Sequence, residues 1–332
     1  MRWNKNIKLI CNKVLGPLVF LLLSYFICLQ VVHQPNWRSS LDKVLGAATG
    51  RGQWRLWLVV AMMPLNWGIE ARKWQLALRP LGGIPFRDAF RAIFTGTTMA
   101  SFTPNRMGEY LGRLLYVEEG KRLASISLTI VCSIAQLLIT LLVGMGGLLY
   151  LRPYVHQHAA GGAPHLEFWL NCLLGVVGVL AVSLTIIYFR LSRVLGILGK
   201  IPGSGKFLPY IKVLENFEGV ILLKILFLSF GRYLVFIVQY GLIFPVFGVF
   251  LSIGQVWGGV SVVFLMMAIV PTFTFLTELG LRWEAGIQVL ELFSANAVGI
   301  LSASFAIWVI NLIIPALIGS LLILSIKLFK SK

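Results

Sequence analysis

Two pairs of oppositely charged residues recur in this sequence at the same spacing. Glu109 is followed four residues later by Arg113, and Glu278 by Arg282. On a helix this spacing brings carboxylate and guanidinium to one face, where they can form an ion pair. Each pair follows an apolar segment, and ionisable groups near the bilayer are costly and commonly functional. Two interpretations remain open: the pairs staple helix ends, or they line a polar groove.

Arg232 is a third candidate, because it lies near the middle of the apolar run LLKILFLSFGRYLVFIVQYGLIF. An arginine at that depth needs an anionic partner or water. Glu278 is one candidate partner, and a lipid phosphate is another, since a guanidinium can bind phosphate through two parallel hydrogen bonds. An internal ion pair is the alternative. Glu70 and Arg72 are predicted to extend from their helix end toward the membrane surface.

The sequence predicts no metal, cofactor or catalytic residue. The segment with His156, His158 and His165 invites a metal interpretation, but only Glu167 is a nearby acidic ligand. Nucleotide-binding loops, zinc-protease helices and catalytic triads are not found in a supporting context. We therefore do not expect an enzyme that hydrolyses nucleotides.

Composition identifies the elements that must position these residues. Of 332 residues, 58% are hydrophobic and 12% are charged, whereas soluble domains have about 25% charged residues. A water-soluble fold is excluded, and a single integral membrane domain spanning residues 1–332 is expected. The net charge of +17 comes from basic residues between apolar runs, where they set topology and contact anionic lipids. No nucleic acid partner is predicted.

We predict an all-α, polytopic membrane protein: a helical bundle of about six spans plus two re-entrant helical segments. The re-entrant segments, Phe86–Thr103 and Val256–Leu276, are apolar but broken by polar residues, and prolines Pro104 and Pro271 stop them. The predicted spans are Val14–Val32, Leu56–Leu78, Leu123–Leu151, Phe168–Phe189, Ile221–Val249 and Ala297–Ile326.

The distribution of basic residues predicts the orientation. Arg72–Arg91 and Arg190–Lys224 are rich in arginine and lysine, as cytoplasmic segments are, whereas Arg152–Glu167 has one arginine. Both termini are therefore expected in the cytoplasm, with the chain in the cytoplasmic (inner) membrane. The order of span, re-entrant segment, proline, Glu-x-x-x-Arg and closing span occurs twice, at about 56–151 and 221–327. The copies would have opposite orientations, and such inverted repeats recur in transporters.

The stretch PNRMGEYLGR, residues 104–113, resembles the membrane region of lysylphosphatidylglycerol synthases, the flippase-like domain family. Its most specific residues are Pro104, Arg106, Gly108, Glu109 and Arg113. The second motif, Pro271 to Arg282, has two extra residues between its proline and glutamate. The synthases add a soluble aminoacyl-transfer domain after this region. The sequence ends at Lys332 without one, so synthesis of lysyl lipid is not expected.

The resemblance implies the movement of aminoacylated phospholipids, or the handling of hopanoid or polyprenyl-phosphate lipids in envelope assembly. The expected partners are membrane lipids and envelope-biogenesis enzymes. We expect a lipid translocator or lipid-binding subunit for an anionic phospholipid or polyprenyl-phosphate-type lipid. The alternatives are a membrane-embedded transferase, with Glu109 or Glu278 as base, and a non-transporting assembly subunit. The predicted headgroup-binding residues are Arg106, Glu109, Arg113, Arg232, Glu278 and Arg282, and the predicted structural residues are Pro104, Gly108 and Pro271.

Overall fold

The computed structural model describes residues 52–103, 106–159, 165–191, 212–214, 217–270 and 275–324, with isolated positions between residues 25 and 50. The predicted first span, Val14–Val32, lies outside these ranges except for one residue. Pro104 and Pro271 also lie outside the described residues.

Every regular element among the described residues is helical, as predicted. In chain order the helices are α1 (Gln53–Ala77), α2 (Phe86–Ala100), α3 (Gly108–Leu114), α4 (Arg122–Ala159), α5 (His165–Phe189), α6 (Gly219–Ile243), α7 (Ile253–Ile269), α8 (Phe275–Leu290), α9 (Ala297–Trp308) and α10 (Ile314–Leu324). A π-helical segment, Val309–Ile313, joins α9 to α10.

Four helical stretches of the described chain are long and apolar enough to cross a membrane, which indicates a membrane-embedded protein. They coincide with four of the six predicted spans. The predicted second span forms α1, whose last third carries Glu70, Arg72 and Lys73. The four stretches are Glu119–Gln157, Glu167–Phe189, Gly219–Phe247 and Ala297–Ile323.

Large apolar side chains remain exposed on the outer helices. Phe168, Trp169 and Val179 of α5 are exposed, as are Leu223 and Phe227 of α6. In water, so much contiguous apolar surface would promote association. These faces are suited to contact lipid tails.

Side-chain caps fix where two of the helices begin. The hydroxyl of Ser252 accepts a hydrogen bond from the backbone N–H of Gln255, and the Gln255 side chain accepts one from the Ser252 N–H. This capping box satisfies two N–H groups that the start of α7 leaves free. Asn296 caps α9 by accepting from the N–H of Gly299, and its amide also donates to the carbonyl of Phe247. The start of α9 is thereby tied to the turn that follows α6.

Helices of the first half of the chain (α1–α4) pack against helices of the second half (α6–α10). Helix α2 of the first half packs on α10 of the second, and α7 of the second half packs on α4 of the first. Helices α1 and α6, which open the two halves, pack against each other. Residues of both halves therefore share one hydrophobic core.

A glycine allows close approach of the two helices at the α2–α10 contact and at the α4–α7 contact. A Cβ atom at Gly319 of α10 would meet the backbone carbonyl oxygen of Phe94 on α2. At Gly147 of α4 it would lie 2.9 Å from the carbonyl oxygen of Gly258 on α7. The Thr98 hydroxyl also donates to the carbonyl of Ala316 at 2.7 Å, which joins α2 to α10. Backbones this close leave no room for a side chain.

Candidate functional site

A buried carboxylate, that of Glu70 on α1, lies at the centre of the site. Its Oε2 is 2.6 Å from Nζ of Lys73 and 3.0 Å from Nη1 of Arg232, and its Oε1 is 3.1 Å from Nη2 of Arg113. Glu70 is 4% exposed. A buried ion carries a desolvation penalty of several kcal/mol unless it is well paired. Three cations, from α1, α3 and α6, pair with this single charge.

Both predicted i,i+4 ion pairs are present. Arg113 bonds Glu109 on α3, and Nη2 of Arg282 lies 3.0 Å from Oε1 of Glu278 on α8. The Arg282 guanidinium also donates to the hydroxyl of Tyr240 on α6 at 3.0 Å. Each pair is thereby bound to the helix that opens its own half, through Glu70 in the first half and Tyr240 in the second.

Arg106 connects the two pairs. Its Nε is 3.9 Å from Oε2 of Glu109, and its Nη1 is 4.0 Å from Oε2 of Glu278. Its side chain is 35% exposed, more than any other cation of the cluster. Its φ of 58° makes it the one non-glycine residue with positive φ among those described. An arginine in the left-handed backbone region is uncommon, and its conformation requires support from the surrounding structure.

The candidate pairing of Arg232 with Glu278 is wrong, and the alternative, an internal ion pair, is present with another residue, Glu70. The Nη1 of Arg232 bonds Glu70, and its Nε donates to Oδ1 of Asn66 at 2.9 Å. The guanidinium also lies 4.9 Å from the centre of the Trp67 ring. The reason is that α6 packs along α1, so Arg232 faces that helix.

The position predicted for Glu70, at the membrane surface, is also wrong. Glu70 is buried, whereas Arg72, two residues away, is exposed. A signal was available: Asn66, Glu70 and Lys73 follow one another at helical spacing, which forms a polar stripe on one face of α1.

A chain of buried amides extends from Arg232. Asn66 donates to Oδ1 of Asn311 at 3.2 Å, Asn311 donates to Oε1 of Gln239 at 3.1 Å, and Gln239 donates to the carbonyl of Val59 at 3.0 Å. Asn311 also donates to the carbonyl of Ile307, and it lies within the π-helical segment. Buried polar groups normally require such partners. The chain of amides links α1, α6 and the α9–α10 junction.

Close packing holds α3 against α2 and so fixes the position of the first pair. A Cβ atom at Gly108 would meet the backbone carbonyl of Met99, and one at Gly112 would lie 2.5 Å from Cα of Gly96. The N–H of Gly108 also donates to the Thr103 hydroxyl at 2.6 Å. The structural role predicted for Gly108 therefore has a geometric cause.

The cluster contains two more cations than carboxylates among the described residues. The Nε atoms of Arg106, Arg113 and Arg282 are buried and have no hydrogen-bond partner in the described part of the chain. Guanidinium groups in this state are suited to bind the oxygens of a phosphate. The cations are Lys73, Arg106, Arg113, Arg232 and Arg282, and the carboxylates are Glu70, Glu109 and Glu278.

Within the described residues, no group of three or more His, Cys, Asp or Glu side chains could hold a metal ion. Nδ1 of His156 contacts Oε2 of Glu167 at 3.2 Å on an exposed surface. The side chains of His158 and His165 lie outside the described part.

A scan against protein-family models gives no match for this chain, and neither a search of curated proteins nor one of solved structures finds a similar protein.

Proposed function

We propose that this protein binds a lipid with a phosphate-containing headgroup and moves it across the cytoplasmic membrane. The observation that carries the proposal is the buried charge cluster with its excess of two cations. Such an excess in a low-dielectric interior favours the binding of an anion. Arg106 and Glu109 are the partly exposed members of the cluster, with side chains 35% and 23% exposed, and in this proposal the headgroup enters past them.

The proposed arrangement in the membrane has six spans and two re-entrant hairpins, α2–α3 and α7–α8. Helices α2 and α7 have 15 and 17 residues. At about 1.5 Å per residue they are shorter than a hydrocarbon core about 30 Å thick. The packing of α2 on α10 and of α7 on α4 supports an inverted repeat, and the distribution of basic residues supports both termini in the cytoplasm. Irregular backbone at such depth must be enclosed by protein or line a cavity.

In this proposal Arg106 binds the headgroup first, because it is the most exposed cation and its ion pairs are long. Arg113 and Arg282 then contribute their unpaired Nε donors, while Glu109 and Glu278 keep the two guanidinium groups oriented. Arg232 remains on Glu70 and Asn66 and holds α6 against α1. The lipid tails stay in the bilayer, so the polar path removes most of the cost of burying the headgroup charge.

The charge excess favours a phosphomonoester over a phosphodiester. A phosphomonoester carries about 1.5 to 2 negative charges near neutral pH, whereas the phosphodiester of phosphatidylglycerol carries one. A polyprenyl monophosphate therefore matches the excess of two cations better. Phosphatidylglycerol is the weaker candidate on this argument.

The test uses the purified chain in sealed vesicles that contain a long-chain polyprenyl monophosphate. An impermeant phosphatase added outside releases phosphate only from the outer leaflet, unless the protein delivers inner-leaflet lipid. We expect wild-type vesicles to release the inner pool as well and Arg106→Gln vesicles to release it at least tenfold more slowly. Arg87→Gln, an exposed arginine outside the cluster, serves as the matched control and should behave as wild type.

Two further measurements test whether the protein selects its lipid by charge and whether it modifies the lipid chemically. Fluorescent phosphatidylglycerol and phosphatidylcholine, assayed by dithionite bleaching, compare a phosphodiester anion with a zwitterion. Movement of phosphatidylcholine as fast as polyprenyl phosphate would contradict recognition by the cluster. Mass spectrometry of lipid incubated without phosphatase should find it unchanged, and a modified lipid would favour a transferase instead.

A further inference from the structure

A second basic surface lies on the same helix seam as the charge cluster. A groove of about 530 Å³ runs between the end of α1 and the start of α6. Arg72, Arg79 and Lys224 line it together with Val220, Leu223 and Phe227. The seam is the one that the Glu70–Arg232 pair closes deeper in the bundle. Lys224 and Arg232 are eight residues apart, which is about 12 Å along α6.

The cations of this groove differ from those of the central cluster. No ion pair is formed by Arg72, Arg79 or Lys224 with another described residue, and none of the described residues that line the groove is acidic. Arg72 donates instead to Oε1 of Gln75, and Gln75 donates to the carbonyl of Ile84 at 2.9 Å. The charge of the groove is therefore positive and uncompensated within the described chain.

The wall of the groove is apolar and exposed. Phe227 is 74% exposed, and Val220 and Leu223 of the same helix are also exposed. All three belong to α6, one of the membrane-length helices. Three cations beside a lipid-facing apolar wall match a molecule with an anionic head and acyl chains. Basic pockets between transmembrane helices are known to bind such headgroups.

We infer that this groove binds the headgroup of an anionic glycerophospholipid, with an acyl chain against Phe227. The site is separate from the central cluster and does not depend on the proposed translocation. Because α1 and α6 both contribute cations, a bound phosphodiester joins the two helices at their membrane-surface ends.

The probe is phosphatidylglycerol, titrated into purified full-length protein in detergent and followed by native mass spectrometry. The test variant is Arg79→Gln/Lys224→Gln, which removes two exposed charges. The matched control is Arg87→Gln/Arg152→Gln, which removes two exposed arginines elsewhere. We expect the test variant to weaken binding of the first phosphatidylglycerol at least tenfold and the control to leave it within twofold. Unaltered thermal stability of both variants shows that folding is preserved.

Three results would overturn the inference: equal binding of phosphatidylcholine by the wild type, unchanged phosphatidylglycerol binding in the test variant, or an equal loss in the control. Soluble glycerol phosphate at the same concentration should bind far more weakly, because it cannot use the apolar wall. Arg106→Gln should keep this lipid even if it loses translocation. A result that contradicts lipid binding in the groove can thus be distinguished from one that contradicts the proposed translocation.

Discussion

Glu70 forms three ion pairs, more than any other described residue. Its substitution is therefore the sharpest test at the scale of single residues. Glu70→Gln keeps the shape of the side chain but leaves Lys73, Arg113 and Arg232 around a neutral amide. Breaking a buried ion pair on one side costs about 3 to 5 kcal/mol. We expect a large loss of thermal stability in detergent. Glu119→Gln, at an exposed ion pair, should change stability little, and equal effects would show that the buried cluster contributes no special stability.

Arg232 makes two contacts that lysine cannot both reproduce. Arg232→Lys keeps a positive charge beside Glu70. It loses the hydrogen bond that the Nε–H of Arg232 donates to Oδ1 of Asn66. We expect a loss of about 1.5 to 3 kcal/mol, as for a hydrogen bond to a charged group. Arg232→Ala should lose about 3 to 5 kcal/mol, because Glu70 then lacks one of its cations. Thermal unfolding of both variants checks this order, and a lysine variant as unstable as the alanine variant would contradict it.

At the scale of elements, the closest contact between the halves depends on Gly319. Gly319→Ala places a methyl group against the carbonyl of Phe94 and the hydroxyl of Thr98, so α10 must move away from α2. Overpacking of this kind costs about 1 to 3 kcal/mol. Gly175→Ala on α5 meets nothing within 4 Å and should be neutral or stabilising, since alanine is the better helix former. Thermal melting of both variants compares them, and equal stability would show that the α2–α10 contact is loose.

The α2–α3 hairpin is also testable as an element. If it is re-entrant, cysteines at Phe86 and Met107, both exposed, should react with an impermeant reagent from the same side. The four native cysteines are removed first, and inside-out vesicles supply the second side. Reaction from opposite sides would make the segment a full span and remove the inverted repeat.

Helix positions could largely be predicted from the sequence, because they follow from long apolar runs and their breaks. The predicted segment Phe86–Thr103 corresponds to α2, Phe86–Ala100. The segment Val256–Leu276 is less accurate, because α7 starts three residues earlier at its Ser252 cap and ends at Ile269. Its last residues belong to the next helix. Apolar composition alone does not reveal where a cap or a break divides two helices.

Only the local part of the site could be predicted. The Glu109–Arg113 and Glu278–Arg282 pairs need no more than helical spacing. The Arg232–Glu70 contact joins residues 162 positions apart, and Asn66 and Asn311 are 245 apart. These contacts depend on which helices pack together, which no local pattern specifies.

For the whole molecule, the distribution of basic residues predicts orientation. A cysteine at Gln157, which is exposed, should be labelled from outside intact cells, and one at Ser204 only after the membrane is permeabilised. The same cysteine-free background is used, and the background without any added cysteine gives the unlabelled reference. Labelling of both sites from one side would contradict the topology.

The contact between α2 and α10, which lie far apart in the sequence, also has a consequence for biosynthesis. Helix α2 leaves the ribosome roughly 200 residues before α10, which at about 5 to 20 residues per second is a delay of about 10 to 40 s. Throughout that interval the newly made first half lacks the helix that packs on Phe94 and Thr98. Glu70 lacks Arg232 only until α6 is made, which precedes α10. The unfinished chain is therefore expected to present an uncovered face of α2 until the second half has been synthesised.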